Sequence, residues 1–133
     1  MTEHVKIASS DRAARWEASG LDWLRAADGV PVVDVLGVDQ HRLILRRLAT
    51  TSPTAAAAET FGRQLAQTHA ASASAFGAGP PDWAGEGYQG PADDLLPLNL
   101  APFDSWGRMY ADARLVPLLA HLRTPAPQQT EAR

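Results

Sequence analysis

From residue 76 to residue 102 the chain reads FGAGPPDWAGEGYQGPADDLLPLNLAP, and this stretch limits most what it can fold into. It is too rich in Gly and Pro, and too irregular, for a helix or a strand to be read from its pattern. A connection this long without regular structure is usually functional or mobile when it sits inside a compact domain. Regular elements therefore have to come from the segments on either side. No stretch repeats another.

Before it, the order is strand, helix, strand, strand, helix. Residues 4–8 (HVKIA) read as a strand end, with β-branched Val5 and Ile7 flanking Lys6. Ser9, Ser10 and Asp11 form an N-cap cluster. Ala13, Trp16, Gly20, Leu24 and Ala27 then recur at helical spacing, with Leu21 and Trp23 widening the stripe, so a helix is expected over 11–27 with Gly29 as its stop. The valines of VPVVDVLGVD suggest a strand over 32–38, DQH a turn, and RLILRRL a second strand, together an antiparallel hairpin. Pro53 and Thr54 start a helix over AAAAETFGRQLAQTHAASA. Phe61, Leu65 and Thr68 or His69 mark its expected buried side, and Gly62 and Ala66 would allow close packing. After the Gly/Pro stretch, Asp104 is expected to cap SWGRMYADARLV, with Trp106, Met109, Tyr110 and Ala113 on one side. Pro117 should interrupt that helix, LLAHLR being its second half. Residues 124–133, TPAPQQTEAR, form a polar tail with two prolines that is expected to be disordered. Nothing in this order suggests a doubly wound sheet.

Composition excludes several classes. With 133 residues, 45% apolar and 20% charged, the chain suits one small globular domain. A net charge of −3 argues against a dedicated nucleic-acid binder or a polybasic membrane binder. The absence of cysteine removes disulfides and thiolate metal sites. No apolar run is long enough to span a bilayer and the first residues are too polar for a signal peptide, so a cytoplasmic protein is expected.

One residue stands out against that composition. Lys6 is the sole lysine; every other basic side chain is an arginine, histidines aside. A strand lysine followed by a helix glutamate, here Glu17, is how kinase-like folds hold the α- and β-phosphates of ATP. Spacing alone favours a simpler alternative, in which Lys6 is a solvated strand residue and Glu17 a solvated helix residue. The four histidines, at 4, 41, 69 and 121, show no metal-ligand spacing. His69, near a helix C-terminus, suits interaction with free carbonyls. Asp93 and Asp94 fit a solvated turn better than a metal site or a general base. Trp83, Tyr88 and Trp106 could line a sugar or amine pocket, and Trp106 fits core packing as well. GAGPP and GEGYQG do not sit between strand and helix, so neither reads as a phosphate loop.

Taken in order, HVKIAS, WEASGLDWL, VPVVDVLGV with RLILRRL, FGRQLAQTHAASASAFG and PLNLAPFDSWGRMYADARLVPLL resemble the fructosamine kinase (ketosamine-3-kinase) family over residues 5–122. The family belongs to the protein-kinase-like phosphotransferases. The resemblance implies an α+β chain. Residues 1–48 would form a partial kinase-like N-lobe, a short antiparallel sheet of about three strands with an αC-like helix. Residues 49–123 would supply the hinge region and the helices that begin the C-lobe. Lys6 would be the ATP phosphate lysine and Glu17 its ion-pair partner, with Leu45, Arg46, Arg47 and Leu48 as the nucleotide hinge. ATP and magnesium would be the cofactors, and a glycated amine or protein the substrate, phosphorylated on its sugar so that the adduct becomes labile.

The resemblance also implies what this chain does without. The family's first two strands and glycine-containing turn would precede Lys6, and an HGD-type catalytic loop and a metal-binding aspartate would follow. No His-Gly-Asp occurs here, so no catalytic residue and no metal ligand is assigned. The chain reads as a truncated member, inactive alone or only nucleotide-binding. Two alternatives stand beside this: a non-catalytic binding or assembly module reusing the half-fold, and a fragment of an aminoglycoside- or choline-type phosphotransferase. Without the two preceding strands, residues Glu3 to Ile7 would present an open edge. That edge is expected to self-pair in a dimer, to be covered by the chain's own loop, or to leave the protein prone to aggregation.

Overall fold

A computed structural model describes residues 2–123; the tail expected to be disordered, 124–133, lies outside the described residues. The first strand, β1 (Glu3–Ile7), leads through Ser10 into helix α1 (Asp11–Ala26). The Ser10 hydroxyl accepts a bond from the Ala13 amide at 3.1 Å, satisfying one of the donors a helix start leaves open. Strands β2 (Val35–Asp39) and β3 (Arg42–Arg46) form the expected hairpin, with Gln40 in the left-handed conformation at the turn. All three strands pair antiparallel in the order β1-β3-β2, with β3 central. Helix α2 (Ala55–Ala70) is capped by Thr54, whose hydroxyl accepts from the Ala57 amide.

The end of α1 differs from expectation. Asp28, not Gly29, adopts the left-handed backbone that stops the helix. Gly29 is there for proximity: a Cβ on it would lie 2.2 Å from the Thr68 hydroxyl oxygen of α2. The Val30 amide donates to that same hydroxyl at 3.0 Å, so α2 approaches the end of α1 closely through Thr68.

The core is small and built from small residues. Ala14 and Ala18 of α1 lie on Leu43 and Leu45 of β3, flanked by partly buried Leu21, Val33, Val35 and Val38. The stripe through Trp16 and Leu24 is therefore not the most buried one. Alanine at positions 14 and 18 lets the helix axis sit close to the sheet, and the face turns toward those residues, leaving Leu24 exposed. Helix α2 buries no residue, Phe61 is exposed, and nothing approaches Gly62. Its expected buried side survives only as partial burial at Leu65 and Thr68.

The Gly/Pro stretch is more ordered than its pattern suggests. It contains a second antiparallel pair, β4 (Gly87–Gln89) with β5 (Leu96–Leu98), and its ends are tied by a bridge between Phe76 and Phe103. Asp93 and Asp94 lie exposed in the turn of that hairpin. The last helical stretch is capped by Ser105 rather than Asp104 and runs as α3 (Trp106–Tyr110), a π-helical turn (Ala111–Leu115) and α4 (Val116–Arg123). Pro117 explains the interruption. It has no N–H to offer the Ala113 carbonyl in α-helical register, and the Arg114 guanidinium donates to that carbonyl at 3.0 Å and to the Asn99 carbonyl at 2.9 Å. Trp106 is exposed and stacks on Tyr110, so it does not pack in the core. Among the described residues, no helix is long and apolar enough to cross a membrane.

Candidate functional site

Directly opposite core residue Leu43, Lys6 projects from β1 on the sheet face that carries α1. Glu17 lies on the second turn of α1, above that strand. The Lys6 Nζ donates to Glu17 Oε1 at 2.8 Å and to Oε2 at 2.7 Å. The structure thus brings together two residues eleven apart in sequence, and Lys6 remains an exposed edge-strand side chain, as in the simpler reading. Their side chains keep 46% and 34% of their exposure, so the pair is open to a ligand.

That opening is a cleft of about 200 Å³ lined by Lys6, Ser9, Trp16, Glu17, Tyr88 and Leu95, among others. Its far wall is the β4–β5 hairpin, which α1 holds by two side chains, Arg12 and Trp16. Arg12 Nη2 donates to the Ala84 and Glu86 carbonyls at 2.7 and 3.1 Å, and its guanidinium carbon lies 4.7 Å from the Trp83 ring centre. Trp16 Nε1 donates to the Tyr88 carbonyl at 2.9 Å. The Trp16 and Trp83 rings meet edge to face, with centroids 5.2 Å apart. Gly87 lies flat against Trp16, where a Cβ would come within 2.6 Å of the ring. Hydrogen bonds to carbonyls, a cation–π contact and an aromatic pair hold the hairpin in place.

Of the three aromatic residues proposed from sequence to line a pocket, Tyr88 does so, Trp83 braces the hairpin from behind, and Trp106 lies elsewhere. Trp16, Ser9 and Leu95 were not foreseen as lining residues. Trp16 had a signal, since its indole N–H requires an acceptor wherever the ring is half-buried; Ser9 and Leu95 had none.

The four hinge candidates fall outside the cleft. Arg46, Arg47 and Leu48 line a separate hollow with Thr2 and Ala49, and the Leu45 side chain is buried in the core. The Arg46 amide donates to the Asp34 carbonyl at 2.9 Å and the Arg47 amide to the Thr2 carbonyl at 3.0 Å. Arg46 Nε also meets Asp34 Oδ2 at 2.6 Å, and that contact, together with Arg25 nearby, holds the Asp34 carboxyl below the usual carboxylate range. Leu48 lies past the end of β3 and is exposed.

Chemically, the cleft is lined by one ammonium with its paired carboxylate, two hydroxyl-bearing side chains, Ser9 and Tyr88, and an aromatic wall. A phosphate group fits that donor set. Its volume is below the 300–1,000 Å³ or so of a site that encloses a whole small-molecule ligand, so it suits a phosphate group better than an entire nucleotide. The donor set does not fit a magnesium ion: Glu17, the carboxylate in the cleft, has both oxygens bonded to Lys6. Among the described residues no three of His, Asp and Glu gather to hold a metal.

Compared with protein-family models, with curated proteins and with solved structures, the chain matches none.

Proposed function

We propose that the chain is the phosphate-binding portion of a kinase-like small-molecule phosphotransferase of the fructosamine kinase type, with Lys6 as the phosphate contact and Glu17 as the group that aims it. One observation carries this reading: a strand lysine gripped through both oxygens of a helix glutamate, at the mouth of a cleft. An exposed ion pair adds only about 0–1 kcal/mol to stability, so stability alone gives little reason for a single lysine in an arginine-using chain to sit there. A compact ammonium makes point contacts with phosphate oxygens, whereas a guanidinium fork imposes a different geometry. ATP is the proposed ligand, with its phosphates at Lys6 and the rest of the nucleotide outside the cleft.

Phosphoryl transfer needs a base to position the acceptor hydroxyl and a metal to neutralise charge. This chain has no His-Gly-Asp, and no metal ligands gather among the described residues. The expected behaviour of this chain alone is therefore binding without turnover.

The test is thermal melting with and without millimolar ATP, with and without magnesium. A ligand at tenfold its Kd stabilises the folded state by about 1.4 kcal/mol, worth several degrees in a domain of this size. The wild type should show that shift, Lys6→Ala should lose it, and Glu17→Gln should reduce it. A folded wild type with no shift at millimolar nucleotide overturns the reading. A second reading, an assembly module without nucleotide binding, is favoured by the exposed apolar residues Phe61, Trp106, Val116 and Leu119 on the helices. It predicts that null result.

A further inference from the structure

The hydrogen-bond phase of β1 defines which of its backbone groups are free. Residues of β1 and β3 face one another in the register Glu3 to Arg46 through Ile7 to Arg42. Beyond the two ends, the Arg47 amide donates to the Thr2 carbonyl and the Ala8 amide to the His41 carbonyl. Antiparallel ladders alternate strictly, so residues 2, 4, 6 and 8 exchange bonds with β3 and the polar groups of Glu3, Val5 and Ile7 point the other way. No other described strand pairs there, because β1 is the edge of its sheet. Arg47 Nε reaches the Glu3 carbonyl at 3.2 Å and caps one end. The amide and carbonyl of Val5 and of Ile7 remain open. All five residues of β1 are exposed, and the strand has none of the prolines or bulges that blunt such an edge.

We infer that β1 pairs with β1 of a second copy of this chain, antiparallel and centred on Val5. The occupant is a second copy because the open groups are self-complementary. A two-fold axis perpendicular to the sheet keeps each side chain on its own face and passes midway between the two copies of one residue; Val5 is the middle of the outward-facing residues Glu3, Val5 and Ile7, and pairing there replaces the Arg47 Nε contact to the Glu3 carbonyl. Val5 then exchanges both bonds with itself, and Ile7 faces the partner's Glu3. The product is one six-stranded sheet with both α1 helices on the same face. His4 and Lys6 share the face that bears the cleft, and they become direct neighbours across the axis. The partner's His4 stands in a non-hydrogen-bonded pair with Lys6, about 4.5 Å away between Cα atoms. Each copy thereby adds an imidazole to the rim of the other's cleft. The argument rests on the sheet edge and holds whether or not the cleft takes a nucleotide.

Sedimentation velocity over a concentration series should show a monomer–dimer equilibrium for the wild type. Val5→Pro removes the central outward N–H while leaving every β1–β3 bond in place, as an edge strand tolerates. It should be monomeric with an unchanged far-UV spectrum. The chain has no cysteine of its own, so Val5→Cys places one thiol on the axis. Its Cα would lie about 5.5 Å from its mate, within the range of about 4.4–6.8 Å that a disulfide spans. Val5→Cys should oxidise to a covalent dimer, whereas Ile7→Cys, roughly 13 Å from its mate along the strand, should not. The His4 ring resonances should shift with wild-type concentration. A wild type that stays monomeric near millimolar concentration overturns the inference. So does a dimer that survives in folded Val5→Pro, or cross-linking of Ile7→Cys as fast as of Val5→Cys.

Discussion

Two ion pairs of similar geometry have different consequences in this fold. The Lys6–Glu17 pair faces an open cleft, and its oxygens and ammonium can be shared with a ligand. The Asp34–Arg46 pair closes on the fold itself: it ties the segment before β2 to the end of β3, beside the Arg46 amide that donates to the Asp34 carbonyl. The hydrogen bond from Arg46, its charge and the more distant charge of Arg25 all lower the Asp34 pKa. A carboxyl depressed in the folded state stabilises it above the unfolded pKa and stops doing so as pH falls through the folded value. Asp34→Asn should therefore melt below the wild type at neutral pH. The difference should shrink as the pH is lowered past the ordinary aspartate range near about 3.9. Melting curves for the two proteins down to about pH 3 test this, since the other carboxylates titrate in both. A difference that stays constant with pH would mean that the side chain acts through packing rather than charge.

At the scale of elements, the β4–β5 hairpin decides whether the cleft has a second wall. Its fit on α1 leaves no space at Gly87, where a Cβ would lie 2.6 Å from the Trp16 ring. Gly87→Ala should cost about 1–3 kcal/mol, as overpacking does, and should lift the hairpin rather than disturb the sheet. The expected signs are a red-shifted tryptophan emission and, under the proposed function, loss of the stabilisation by ATP, with strand content unchanged. Unaltered emission and melting would show that Trp16 moves aside at no cost. This hairpin also marks where sequence reading stops. Strands of three residues with Gly and Pro inside them carry no alternation to detect, and what holds them is Trp83 close by and, from a segment some seventy residues away, Trp16 and Arg12. By contrast, β1, α1, the β2–β3 hairpin and α2 have period, caps and turn residues that agree. The pairing of Lys6 with Glu17 is implied only by the family resemblance, since spacing alone favours two solvated side chains. The core could not be anticipated, because it is set by how close Ala14 and Ala18 let the helix approach, while larger residues such as Leu24 and Phe61 stay outside it.

For the molecule as a whole, burial is concentrated in one part. Among the described residues, the buried apolar side chains other than Pro80 and Ala113 belong to α1 and β3, and Leu43 is the largest of those with no exposure. Helix α2 contributes none, and α3, the π-helical turn and α4 contribute Ala113 alone. Isolated helices of sixteen residues or fewer are marginal in water even with good composition, so α2 depends on Thr54, on its alanines and on the Thr68 contact. Local stability should follow this division, because regions with few buried apolar contacts open at lower free energy. In native-state hydrogen exchange, the amides of β3 and the middle of α1 should be the slowest and should exchange by global unfolding. The amides of α2 and of α4 should exchange through local opening, at least tenfold faster, with little dependence on denaturant. If the second copy docks through β1, raising the protein concentration should slow the amides of Val5 and Ile7 and leave α2 unchanged. Equal protection across both halves would mean that the helices are held by contacts beyond those of this chain's core.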